Sequence, residues 1–229
     1  MITIKDYETN LELKNLLEIC YEHPKYNEKC KVLSTKKGDV LETQGSDGNK
    51  VYFILEGYFG VFIKGAIDAS KKTSKPAIIR FLQKEDTFGL PHLFSNNWES
   101  KASLQSLGNG KVMAVDSVFL NGILERIDPK RNFILGQMDL TIKESRDFAE
   151  LSFYKKEERI RKALLKCADV LGTFSPNGIL LPKEITQEVL ARYTSTSREY
   201  VACTIQLLTK KNMVRNKPKP LLILDKNKL

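Results

Sequence analysis

The adjacent pair Arg198-Glu199 offers the most specific chemistry in the chain. A guanidinium donates two parallel hydrogen bonds to guanine O6 and N7, and a carboxylate accepts one from cytosine N4. Both residues fall in the first turn of a predicted helix, the part of a recognition helix that reaches base edges. Ala202, Cys203 and Gln206 follow on the same face at helical spacing. Other chemistries find few residues to work with. His23 and His92 are the only histidines, too few for the His and carboxylate ligand set of a barrel enzyme. Cys20, Cys30, Cys167 and Cys203 form no CxxC. Cys20, His23 and Cys30 could offer three metal ligands, but their spacing is irregular and no fourth ligand lies near. The expectation is free thiols, no metal, no cofactor and no catalytic residue, so the chain is not read as an enzyme.

The elements that must position Arg198 and Glu199 lie between Lys183 and Val214. A helix from about Thr186 to Tyr193 carries an apolar stripe of Val189, Leu190 and Tyr193. A polar turn, Thr194-Ser195-Thr196, joins it to a second helix near Ser197, with Val201, Ile205 and Leu208 on one side. Thr196 or Ser197 caps that helix, and with Thr196 as the cap Glu199 completes a capping box. So short a join forces a steep crossing, as in a helix-turn-helix, with small Ala191 at the close approach. Val214–Leu224 then reads as a β-hairpin tipped by Asn216-Lys217-Pro218-Lys219-Pro220, where Lys217 and Lys219 can reach phosphates. Lys210, at the end of the second helix, is a further candidate phosphate contact.

Charge separates this region from the rest. Residues 156–229 hold 15 Lys and Arg against 7 Asp and Glu, a net of +8, and residues 1–155 hold 22 against 21, a net of +1, which together make the +9 of the chain. A positive charge concentrated beside a helix pair is the footprint of phosphate binding. A module that signals only through protein contacts is the alternative reading, and it would carry a neutral or acidic C-terminal third.

Upstream, residues 6–22 read as a short helix through Leu11, Leu13, Leu16, Leu17 and Ile19, ended by Pro24. Between 31 and 116, strand-type runs recur at Lys31–Ser34, Val40–Thr43, Val51–Leu55, Phe59–Ile63, Ala77–Leu82, Ser103–Leu107 and Lys111–Val115. Many short strands between Gly-rich turns predict an antiparallel sandwich or barrel. Lys64–Pro76 is polar and Lys-rich and reads as a mobile hairpin loop. Residues 117–128 predict a short helix, and Pro129 suits the first position of a longer one reaching about Lys155. Within it Leu135, Met138, Ile142, Ser145, Ala149 and Ser152 repeat at steps of three and four. That is a coiled-coil seam, thickened by Ile134, Phe148 and Leu151, and it predicts a homodimer. Residues 157–171 form another amphipathic helix, followed by the turn Ser175-Pro176-Asn177-Gly178. No run of about 18 apolar residues predicts a membrane span. The N-terminal MITIKDYETN lacks a basic-then-apolar signal, so a cytoplasmic protein is expected.

This order of elements resembles the Crp/Fnr family of bacterial transcription regulators over nearly the whole chain. Lys37-Gly38-Asp39-Val40-Leu41-Glu42-Thr43-Gln44-Gly45 and Val51-Tyr52-Phe53-Ile54-Leu55-Glu56-Gly57 look like its opening strands and turns. Thr196-Ser197-Arg198-Glu199 looks like the Ser-Arg-Glu that opens its recognition helix. The resemblance implies an α+β fold: an antiparallel, jelly-roll-like β-roll sensor at 1–128, a dimerisation helix at 129–155 and a winged helix-turn-helix at 156–229. It implies double-stranded DNA, a second copy of the chain and RNA polymerase as partners, with Thr186, Thr196 and Ser197 contacting backbone or capping helices.

The cyclic-nucleotide cassette departs from the family pattern. In cyclic-AMP-binding members a Glu after the Gly holds the ribose, and an Arg some ten residues on holds the phosphate. Here Gly89-Leu90-Pro91-His92 and Ser100-Lys101 occupy those positions, with Leu90 for the Glu and Ser100 for the Arg. A buried phosphate without that Arg is poorly compensated, and Lys101 is one position off. The expectation is an unknown small-molecule effector other than cyclic AMP, or none, as in the listerial virulence activator and halophenol-responsive branches. Cys20 and Cys30 do not reproduce the spacing of the iron–sulfur branch, and His92 reads as a loop histidine rather than a haem ligand. Cys203 stands where many members carry a further Arg, so the half-site should differ at that position.

Overall fold

Short runs of β-branched and aromatic residues become strands because such side chains pack well on a half-buried pleated surface. The computed structural model of the protein describes residues 12–64, 75–94 and 99–229. The chain divides into two compact units, Met1–Val61 with Phe81–Glu144, and Phe62–Arg80 with Ser145–Leu229.

The first unit opens with α1 (Leu13–Glu22) and a short α2 (Tyr26–Lys29) that the sequence reading did not foresee. Along the chain the strands β1 (Cys30–Thr35), β2 (Val40–Glu42), β3 (Lys50–Glu56), β4 (Phe59–Ile63), β5 (Ala77–Leu82), β6 (Thr87–Phe88), β7 (Ser103–Ser106) and β8 (Gly110–Asp116) follow, with residues 62–63 of β4 and 77–80 of β5 belonging to the second unit. They build two sheets, ordered β1-β8-β3-β6 and β2-β7-β4-β5. Antiparallel pairing aligns Val51 with Val115 and Phe53 with Met113, and these four side chains are fully buried. Leu16 and Cys20 of α1 and Leu120 and Leu124 of α3 (Ser117–Ile127) join the same core. The Asp116 side chain caps α3 by accepting from the Phe119 amide. The seven strands predicted between residues 31 and 116 are present; within that range the two-residue β6 was missed, too short to show a period of two, and further along the chain the three-residue strands at Thr173–Ser175 and Gly178–Leu180 were missed as well. Leu11 and residues 65–74 of the expected Lys-rich loop lie outside the described residues.

The long helix α4 spans Asn132–Glu150, and a 3-10 turn continues it over Leu151–Phe153. Pro129 is therefore not its first residue. The two carboxylate oxygens of Asp128 accept from the amides of Asn132 and Phe133, both at 2.9 Å, and so cap the helix three residues later than expected. Arg131, with φ 59°, breaks the continuity between Pro129 and the helix. Leu135, Met138 and Ile142 are 60%, 40% and 65% exposed, and Ala149 is exposed beside them. The residues expected to widen this seam pack elsewhere. Ile134 is fully buried in the core of the first unit, Phe148 packs its ring on Tyr193 at 5.8 Å, and Leu151 is buried.

The second unit contains α5 (Lys156–Leu171), β9 (Thr173–Ser175), β10 (Gly178–Leu180), α6 (Gln187–Thr194), α7 (Arg198–Lys210), β11 (Val214–Arg215) and β12 (Leu222–Ile223). Its sheet runs β11-β12-β10-β9. The apolar stripes of its three helices meet through Ile160, Leu164 and Cys167, Val189 and Leu190, and Val201, Ile205 and Leu208, all buried. Asp147 and Lys166 form an ion pair that ties the end of α4 to α5. Among the described residues, no helix is long and apolar enough to cross a membrane.

All four cysteines are free, with Cys20, Cys30 and Cys167 buried and Cys203 exposed. Burial pushes the thiols of Cys20 and Cys167 up to about 12 and that of Cys30 up to about 11. A thiol-reactive chromogenic disulfide at pH 8 should therefore label Cys203 alone in the native protein and the other three only after unfolding. Rapid native labelling of a second thiol would contradict this packing.

Candidate nucleic-acid interface and effector cassette

The α6–α7 helix pair is assembled by local hydrogen bonding around one turn. Thr186 caps α6, its hydroxyl accepting from the Val189 amide at 3.2 Å. Ser195 takes the left-handed conformation, φ 51° and ψ 44°, and reverses the chain. The Thr194 hydroxyl donates to the Leu190 carbonyl at 2.7 Å and lies 2.9 Å from that of Thr196. Ser197, not Thr196, caps α7: its hydroxyl accepts from the Tyr200 amide at 3.1 Å. Of the two caps the sequence allows, Ser197 is used; the alternative capping box of Thr196 with Glu199 is not formed, since Thr196 Oγ1 pairs with Thr194 and Glu199 stays in the first turn of α7. A carboxylate there suits the positive end of the helix dipole.

The outward face of α7 holds the predicted residues. Arg198, Glu199, Cys203, Gln206 and Lys210 are exposed and Ala202 is half-buried, while Val201, Thr204, Ile205 and Leu208 turn inward. On the hairpin β11–β12, Lys217 and Lys219 are exposed at the tip, each followed by a cis proline. The exposed Arg215 adds a cation on the same hairpin. Tyr200, missed in the sequence reading, is exposed on α7, with Lys156 Nζ 5.9 Å from its ring centre. Its place three residues before Cys203 could have flagged it. Arg159 was also missed. Its guanidinium donates to the carbonyls of Thr194 and Tyr154, both at 3.1 Å, and so fastens the end of α6 to the start of α5. No sequence signal distinguishes it from other arginines on an amphipathic helix.

The cassette of the first unit is packed with side chains. Gly89 (φ 90°) leads into a 3-10 turn, Leu90–Leu93, in which Leu90 and His92 are buried and Pro91 is exposed. His92 lies in this short turn and is buried. Its Nδ1 lies 2.9 Å from the Lys50 carbonyl oxygen and its Nε2 3.4 Å from Glu42 Oε1. Ser100 is buried, its hydroxyl donating to the Ala102 carbonyl at 2.9 Å. Lys101 points outward into an exposed ion pair with Glu99 at 3.6 Å. Burial holds the Glu42 carboxyl above the usual carboxylate range, against the opposing pull of Ser100, His92 and Tyr52. Glu42 and Tyr52 were not foreseen at this site, because neither strand pattern shows which of its polar positions turns inward.

Comparison with known proteins agrees with this architecture. Residues 32–127 match the cyclic nucleotide-binding domain family. An HTH-type transcriptional regulator of Porphyra purpurea, ycf28, is 24% identical over 195 residues, covering 85% of this chain and 78% of its own. A CRP-like cAMP-activated global transcriptional regulator of Mycobacterium tuberculosis is 21% identical over 194 residues, covering 84% of each chain. The crystal structure of a cyclic nucleotide-binding domain containing protein from Listeria monocytogenes EGD-e superposes with a TM-score of 0.76 at 24% identity, covering 95% of this chain and 99% of that one. The chain shares its overall fold with that structure, and over residues 32–127 it is similar to the cyclic nucleotide-binding domain.

Proposed function

We propose that this protein is a sequence-specific, DNA-binding transcription regulator of the Crp/Fnr type. It binds a two-fold-related promoter site as a homodimer and answers to an effector other than cyclic AMP, or to none. The observation that carries the reading is the outward presentation of Arg198 and Glu199 in the first turn of the capped α7. The hairpin lysines Lys217 and Lys219 and the helix-end Lys210 supply phosphate contacts. Residues 156–229 are the DNA-binding part, 129–155 the dimer helix and 1–128 the sensor. The exposed Leu135, Met138 and Ile142 support a seam with a second copy, since lone apolar side chains in a row at this spacing bury well only against a partner helix. The relatives named as transcription regulators support the same reading. RNA polymerase is the protein partner such a regulator meets at its promoter.

The interior of the cassette supports independence from cyclic AMP. Leu90 and Ser100 offer no cation for a phosphate, and the ammonium of Lys101 is committed outside to Glu99. Isothermal titration with cyclic AMP should show no binding in the micromolar range, and micromolar or tighter affinity would contradict this part of the reading.

Base reading and phosphate contact separate in mutants. Arg198→Ala should cost about 1–3 kcal/mol on the preferred site and relax specificity there. Lys217→Ala should weaken all duplexes alike and lower the slope of log affinity against log salt by about one. Binding titrations at several salt concentrations, on a preferred and a scrambled duplex, check both. An Arg198→Ala protein that discriminates as the parent does would remove the base-reading role.

A further inference from the structure

We infer, building on the DNA-reading proposal, that Arg159 is the positioning residue for base reading. By bridging the last carbonyl of α6 to the carbonyl that precedes α5, its guanidinium fixes the direction in which Arg198 and Glu199 leave the helix pair.

A helix ends in carbonyls that have no amide partner within it. At the end of α6 the Ala191 carbonyl accepts from the amides of Ser195 and Thr196, and the Leu190 carbonyl accepts from the Thr194 hydroxyl. The carbonyl of Thr194, the last residue of α6, accepts from Arg159 Nη1 at 3.1 Å. A cation suits that place, because the C-terminal end of a helix carries partial negative charge. Nη2 of the same group donates to the Tyr154 carbonyl, also at 3.1 Å. Tyr154 caps the 3-10 turn that follows α4 and stands just before Lys155, the cap of α5. One planar group therefore joins two chain segments.

This bridge is stiff. Arg159 lies in the first turn of α5, its amide bonded to the Lys155 carbonyl at 2.8 Å, and the next residue, Ile160, is fully buried. The donors of a guanidinium keep a fixed angle to one another. Its Nε is buried without a partner, so the two carbonyls are what hold the group in place.

The path from Thr194 to the reading residues has little slack. Only Ser195, Thr196 and Ser197 lie between Thr194 and Arg198. Ser195 is held left-handed, the Thr196 hydroxyl lies 2.9 Å from that of Thr194, and Ser197 is bonded to the Tyr200 amide. A rotated Thr194 carbonyl is thus carried into the first turn of α7. A bidentate contact with a base edge requires both bonds to be aligned at once and tolerates such a turn badly. Lys217 and Lys219 lie on a hairpin held by the pairing of β11 with β12, so their contacts with phosphate do not pass through this joint.

The test uses the full chain and two variants, Arg159→Gln and Arg159→Lys. Each replacement has a single nitrogen donor and cannot bridge both carbonyls, and lysine keeps the charge. Binding is measured well below each protein's melting temperature, at several salt concentrations. The probes are the duplex enriched from a random library by the parent and a scrambled duplex of the same composition. Both variants should lose about tenfold in affinity for the enriched duplex. Affinity for the scrambled duplex and the salt slope should stay as in the parent. In the DNA-free variants the amide resonances from Ser195 to Glu199 should shift, and those of Val214 and Ile223 should not. A variant that discriminates as the parent does would overturn the inference, and so would full rescue by lysine. Equal loss on both duplexes would also overturn it, because that marks a weakened fold and not a misaimed helix. A parent that prefers no duplex would instead remove the DNA-reading proposal itself, and this role of Arg159 with it.

Discussion

The exposed chemistry of this protein depends on a four-residue turn, Thr194 to Ser197, that cannot be straight helix. Ser195 pays for the reversal with a left-handed backbone that a serine adopts only under constraint. The constraint comes from both sides. The hydroxyls of Thr194 and Thr196 meet each other, and Arg159 holds the Thr194 carbonyl from α5. Once the chain has reversed, Ser197 caps α7 and its first turn must project Arg198 and Glu199 outward, because Val201, Thr204, Ile205 and Leu208 are committed inward. The buried Nε of Arg159 has no partner of its own, so its two donated bonds to Thr194 and Tyr154 carry the whole compensation for ordering that side chain.

Much of this was legible in the sequence, for reasons that differ by region. The helix pair could be read because its apolar stripes have helical spacing and its join is too short for anything but a steep crossing. The strands could be read because β-branched and aromatic runs alternate with glycine turns. The apolar row on α4 could be read from its alternating steps of three and four, and Leu135, Met138 and Ile142 are exposed. What escaped is decided by contacts that sequence spacing does not carry. Asp128, not Pro129, sets the start of α4, since a carboxylate able to satisfy two amides outweighs a favourable proline position. Thr196 was as good a cap as Ser197 by residue type, and the choice went to Ser197 because a neighbouring hydroxyl engages Thr196. Ile134 joined the core because a helix has two apolar faces here, one for its own unit and one exposed.

The cassette shows the same division at its sharpest. Its departures from the cyclic-AMP pattern, Leu90 and Ser100, were visible as residue types. The replacement was not: Glu42 and His92 are 50 residues apart in sequence and meet only because β2 and the Leu90–Leu93 turn face one another across Gly48. Where the family places a cation for a ligand's phosphate, the unit holds the buried Glu42 and His92 side chains, Oε1 and Nε2 being 3.4 Å apart. The two units thus differ in kind. One carries exposed cations on α7 and the β11–β12 hairpin, and the other buries a carboxyl and an imidazole side by side.

Selection of bound duplexes from a random DNA library near physiological salt, with Arg198→Ala in parallel, tests the central claim most directly. The expected result is an enriched motif with two related half-sites about one helical turn apart, lost in the mutant. Salt-sensitive binding that enriches no motif, with the parent and Arg198→Ala proteins alike and in the presence of cell extract as well, would contradict it.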